Sequence, residues 1–387
     1  MGASVGAVFL VAACSTSTRR GGSNGASATS TRVATATPVS TATPVSTPPS
    51  PTPWRTPAGG YIVVAGGNQN GAVSLNDVEV APINSNGSIG AWVASSNTMP
   101  TPIGNSNAIT SAMWAVNTGG STPHFLYGNA AEPGGISFNF YNSIVSAPVT
   151  AGVVGSWADG TPMANAQATP IWCTWMSAVT DGSYVYTVES ASGVSYAVVG
   201  QISGGTTVAW TLQSPVGISV SNASVVEASG FLFTYNGGIS STMYRAAVSS
   251  PGAVAAWNVA GSLPSPLRRA PQQSVGVPMA GQNYIFVLGG YNGSNTTSDC
   301  YSVPVDAAGN LGNWQSVTAL PTPMEYGNVA AYRTGAGTFL AATGGRNGST
   351  DMSSVYYAQI GSGGTLGSWT SAPPLLIPRS MAAAVVF

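Results

Sequence analysis

Short apolar runs, each closed by a pair of glycines and followed by turn residues, recur along the chain. The clearest is Asn283-Tyr-Ile-Phe-Val-Leu-Gly-Gly290, whose unbroken apolar character predicts a strand buried on both faces. Tyr291-Asn-Gly-Ser294 then reads as a turn, because Asn-Gly accepts positive φ. Cys300-Tyr-Ser-Val-Pro-Val305 alternates like a half-buried strand, and Pro304 assigns it toward the outer side of a sheet. Asp306 to Gly312 supplies another turn, and Asn313-Trp314-Gln-Ser-Val317 begins an outermost strand. Beyond the connector Leu320-Pro-Thr-Pro323, Gly327-Asn-Val-Ala-Ala-Tyr332 predicts the innermost strand of the next unit.

The same order returns at Tyr61-Ile-Val-Val-Ala-Gly-Gly67 and at Phe339-Leu-Ala-Ala-Thr-Gly-Gly345. Phe125-Leu-Tyr-Gly128, Tyr184 to Val188 and Phe231 to Tyr235 are degenerate versions without the double glycine. A second marker is more regular: a glycine with a tryptophan five residues later, at Gly87/Trp92, Gly152/Trp157, Gly205/Trp210, Gly252/Trp257, Gly309/Trp314 and Gly364/Trp369. That period corresponds to one four-stranded propeller blade per repeat. The first unit lacks an innermost strand before Tyr61, and Ser380 to Phe387 is an innermost strand with no blade after it. The expected fold is therefore all-β: a six-bladed β-propeller of four-stranded blades over 58–387, closed by the C-terminal strand pairing into the first blade. Tryptophans at one blade position are expected to pack blade on blade, with sugar stacking as the sharper alternative.

A strand ending in Gly-Gly, followed by an outer-strand tryptophan at a period near fifty residues, resembles the kelch-repeat propellers and the propeller of the galactose oxidase superfamily. One spacing departs from that pattern. Kelch repeats place an aromatic about seven residues before the tryptophan, whereas Tyr301 precedes Trp314 by thirteen, so the hairpin between third and fourth strands is longer. The resemblance implies a fold and leaves function open.

Charge is scarce: 5% of the 387 residues are charged, and all ten basic residues are arginines. Four of these precede the repeats, which leaves six arginines against eleven acids beyond Pro57. Nucleic-acid binding needs a basic stripe, and docking to an anionic membrane needs a basic patch; neither is present. Val11-Ala-Ala-Cys14 resembles a bacterial lipobox, although Met1-Gly-Ala-Ser carries no Lys or Arg. The expected organisation is a lipoprotein-type signal peptide over 1–13, lipidation of Cys14, and a Ser/Thr/Pro-rich linker over 14–57 that acts as a tether. That predicts an exported, lipid-anchored protein at the bacterial cell surface, or alternatively a secreted one. Cys173 and Cys300 sit among apolar residues on non-adjacent blades and are expected to be buried free thiols.

Catalytic signatures are thin. The resemblance to galactose oxidase implies a copper site with two histidines, and this chain has one histidine, His124. Zinc catalysis and a Ser-His-Asp triad meet the same shortage. Sialidase propellers carry Ser-x-Asp-x-Gly-x-Thr-Trp boxes, which do not occur here. No cofactor and no metal are expected. Propeller topology nevertheless collects particular polar residues on one face: Asn68, Asn70, Tyr291, Asn292, Arg346 and Asn347 from the loops, with Arg268, Arg269, Glu325, Tyr326 and Arg379 where inner strands begin. These are the candidate ligand-binding residues. The leading expectation is a monomeric, non-enzymatic binding module for a protein or glycan. The alternatives are a carbohydrate-active enzyme or lectin using the axial Arg/Glu/Tyr cluster, and a structural surface component.

Overall fold

A computed structural model describes residues 60–69, 73–100, 111–131, 143–163, 177–191, 194–217, 224–235, 240–267 and 273–387. Apolar runs such as Tyr61–Ala65 and Gln282–Leu288 become second strands, buried because each lies inside a sheet with another blade on either face. Six antiparallel blades result. Blade 2 runs from Ser111–Asn117 outward to Ala158–Asp159, and blade 3 from Ala178–Thr180 to Thr206–Pro215. Blade 4 runs from Val225–Ala228 to Asn258–Leu267, and blade 5 from Ser274–Met279 to Gln315–Val317. Blade 6 runs from Asn328–Thr334 to Thr370–Ser371. In blade 1 the innermost strand is Ala383–Val386, paired with Tyr61–Ala65 in the register Ile62↔Val386 to Ala65↔Ala383. The ring closes as the strand order predicts.

The core is divided among the seams between blades. Each apolar cluster is shared by two neighbours: Ile62, Val64 and Trp92 of blade 1 pack with Tyr332, Phe339 and Ala341 of blade 6, and similar clusters fill the other five seams. The repeat tryptophans stand at these seams, each against the preceding blade. Trp92, Trp157, Trp210 and Trp369 also donate their indole N–H to a backbone carbonyl of that blade, at Pro373, Asn97, Thr161 and Thr318. Their role is blade-to-blade packing.

The glycine of the repeat phrase has a matching task. At all six copies φ lies between 72° and 89°. A Cβ there would land closer than 3.0 Å to a ring at the start of the preceding blade's second strand: Phe339, Tyr61, His124, Tyr184, Phe231 and Tyr284 in turn. The phrase thus presents a flat backbone to an aromatic face and then a tryptophan to the same blade. His124 is the blade 2 member of that ring series, held by Nδ1 at 2.9 Å from Thr122 O. Cys300 is a buried free thiol, and burial pushes its pKa up to about 12; Cys173 lies outside the described residues.

Candidate functional site

Among the described residues, the loops after the second strands of blades 5, 6 and 1 and the connectors entering the innermost strands of blades 6 and 1 meet on one face. At blade 6 the loop is a small hairpin, Arg346–Asn347 with Thr350–Asp351, and at blade 1 Asn68–Gln69 pairs likewise with Val73–Ser74. Each hairpin is fastened to the connector of its own blade by reciprocal backbone bonds. Glu325 N donates to Arg346 O (2.9 Å) and Arg346 N to Glu325 O (2.7 Å), while Asn68 N donates to Ser380 O (2.7 Å) and Ser380 N to Asn68 O (3.0 Å). Tyr326 and Met381 occupy equivalent places with φ of 53° and 55°, and Met381 N donates to Tyr326 O, which ties the two connectors together. The Tyr291–Thr296 loop of blade 5 joins the blade 6 hairpin through Gly348 N and Thr296 Oγ1 (3.4 Å).

Among the described residues, the arginines of this face are engaged by carboxylates of the fold. Arg379 is fully buried. Its guanidinium donates to both carboxylate oxygens of Asp77, to Glu79 Oε1 and to Gly66 O. Glu79 in turn accepts from Leu376 N (2.7 Å) and Ile377 N (3.1 Å), so the trio binds the last connector to blade 1. Burial pushes the Glu79 carboxyl above its ordinary value, and Arg379 pulls against that shift. Arg346 pairs through Nε with Asp351 Oδ1 at 2.9 Å, leaving its side chain 19% exposed.

Asn68, Glu325, Tyr326, Arg346 and Arg379 therefore come together at the adjoining ends of blades 6 and 1, with all but Arg346 buried. Tyr291 and Asn292 stand beside them on blade 5, and Asn292 Oδ1 caps its own turn by accepting from Ser294 N and Asn295 N. Asn347 is exposed at its hairpin tip. Arg268, Arg269, Asn70 and Cys14 lie outside the described residues. What the face offers is amide, hydroxyl and tyrosine side chains on short tied loops.

Sequence reasoning missed two features. Glu227, in the innermost strand of blade 4, is nine-tenths buried, and desolvation pushes its pKa up to about 8 against the hydrogen bond from Gly230 N (2.7 Å). A strand position between apolar neighbours gave no sign of this. On the opposite face, a cleft of about 580 Å³ lies between blades 2 and 3, lined by the glycine-rich turns around Gly119, Gly182 and Gly204 with His124 and Asp181. Asp181 is committed there, accepting from Ser183 N, Tyr184 N and the Tyr186 hydroxyl. Among the described residues, no three His, Cys, Asp or Glu side chains gather as a metal site would require.

No family model matches the sequence, and no curated protein sequence does. Solved structures do resemble it. A fungal alcohol oxidase of the AA5 family in complex with copper aligns at 14% identity with a TM-score of 0.46, over 84% of this chain and 67% of that one. YjhT aligns at 10% identity with a TM-score of 0.54, over 84% of this chain and 100% of that one. At such identity, the likeness to YjhT is one of fold: this chain is a six-bladed β-propeller.

Proposed function

We propose that this chain is a non-enzymatic binding module, tethered at the bacterial cell surface, that recognises a protein or glycan through its loop-and-axis face. One observation carries the reading: the loops of blades 5, 6 and 1 form a joined rim of Tyr, Asn, Ser and Thr, while Arg379 and Arg346 are engaged by carboxylates of the fold. Rigid aromatic and adaptable amide side chains on braced loops suit recognition of a polar surface. A guanidinium already bound to two acids is poorly placed to grip a substrate carboxylate. The tether is the Ser/Thr/Pro-rich segment 14–57, with Cys14 as its lipid attachment point.

The test is thermal unfolding of the propeller against oligosaccharides, sialosides, calcium and cell-wall fragments, with pull-down of surface proteins alongside. A ligand at a hundred times its dissociation constant adds about 2.7 kcal/mol to the folded state. Tyr291→Ala and Asn347→Ala should abolish the shift without moving the unliganded midpoint. Turnover of any glycan in the panel would replace this reading with a carbohydrate-active enzyme. Silence in both assays would leave a structural surface component.

A further inference from the structure

Gln273 and Asn328 hold the same place in successive blades, at the start of the innermost strand and beside the last residue before the paired glycines. Leu288 N donates to Gln273 O, and Asn328 is the register partner of Thr343. Gln273 is fully buried, and its Nε2 donates to Leu288 O (2.7 Å) and across the seam to Met324 O (2.8 Å). One side chain thereby joins blade 5 to the connector entering blade 6, with only Gln273 Oε1 left unpartnered.

One blade further on, the counterpart of Met324 O is Arg379 O: Gly290 N donates to the first and Gly345 N to the second. Asparagine is one methylene shorter than glutamine and makes no such bridge. Asn328 Oδ1, Thr343 Oγ1 and Ser380 Oγ have no hydrogen-bond partner, although these residues are 2%, 1% and 0% exposed. Asn328 and Thr343 lie on the face that carries Ala330, Tyr332 and Ala341, which packs on blade 1. The connector crosses that end of the seam, since a Cβ on Gly344 would meet Arg379 O at 2.7 Å, and Ser380 is the next residue.

Buried polar groups are almost always hydrogen-bonded, and internal water commonly supplies what side chains do not. The geometry points to a buried water molecule at the seam between blades 6 and 1, bound by Asn328 Oδ1, Thr343 Oγ1 and Ser380 Oγ. An amide oxygen only accepts, whereas hydroxyls both accept and donate, and a water with two protons and two lone pairs fits that set. A cation fits it less well, because Asp77 and Glu79 are committed to Arg379 in the same connector. The site stands independently of the binding-module reading.

An atomic-resolution crystal structure of the full chain, paired with water-oxygen relaxation dispersion in solution, tests the proposal. Expected is an ordered water about 2.7–3.2 Å from at least two of the three atoms. Asn328→Gln should expel it, place the longer amide on Thr343 O and Arg379 O, remove one long-lived water from the dispersion profile and raise the melting temperature by roughly 2 °C. Thr343→Val should keep the fold and lower the melting temperature. A well-ordered seam with no density at that point overturns the proposal. So does a peak with the short contacts and anomalous signal of a metal ion, or an Asn328→Gln variant that retains the long-lived water.

Discussion

Arg379 stands where the preceding connector has Met324, and the exchange of an apolar anchor for a cation is answered by Asp77 and Glu79. Removing one partner of a buried ion pair strands the others, so Arg379→Met should cost about 3 kcal/mol in urea unfolding. Adding Asp77→Asn and Glu79→Gln should recover most of the loss, because the amide at 79 still accepts from Leu376 N and Ile377 N. Glu227 makes a different forecast. Its pKa is raised in the fold from an ordinary 4.5 to about 8. The stability tied to its neutral form is therefore whole below about pH 4.5 and is lost as pH rises toward about 8. Glu227→Gln should flatten that decline, worth on the order of a few kcal/mol, when urea midpoints are compared at about pH 5 and about pH 9. Neither group's burial was legible in the sequence. Charged residues default to the surface, so Arg379 and Glu325 read as loop-face ligands. Arg379 and Asp77 are 302 positions apart, and no local pattern links them.

Strands and turns were far more legible, because the apolar runs are continuous and the glycine pairs end them. Tyr61–Ala65, Gln282–Leu288 and Gly337–Thr343 cover the runs that predicted them. Outermost strands were marked by their tryptophans but their lengths were not, since a half-exposed edge imposes no strict alternation. Those of blades 3 and 4, Thr206–Pro215 and Asn258–Leu267, are much longer than Gln315–Val317, which the sequence marks clearly. The glycine-on-ring contact gives a test at this scale. Gly309→Ala places a methyl inside the Phe231 ring at a φ of 74°, and should destabilise by about 2 kcal/mol or more. Gly335→Ala meets nothing within 4 Å and should stay within about 0.5 kcal/mol of the parent. Combined with Phe231→Ala, the Gly309→Ala cost should fall below additivity, since the two sites share one contact.

Taken whole, the molecule is six seams in a ring, and the seam between blades 6 and 1 is held by a strand from the far end of the chain. Deleting residues 383–387 bares the inner edge of Tyr61–Ala65 and opens two clusters at once. Calorimetry should then show the single cooperative transition broken into several, at lower temperature, as in an open repeat array. Ring closure was readable in advance because the strand count balances only if the end of the chain completes the beginning. The same pairing sets a clock on biosynthesis. Blade 1's inner edge must wait for a partner that the ribosome delivers roughly three hundred residues later. Throughout that interval an uncharged, fully apolar strand is a template for any passing chain. Productive folding is thus a race between finishing translation and finding the wrong neighbour, and slowing synthesis should raise aggregation of this protein more than that of a domain whose strands pair as they emerge.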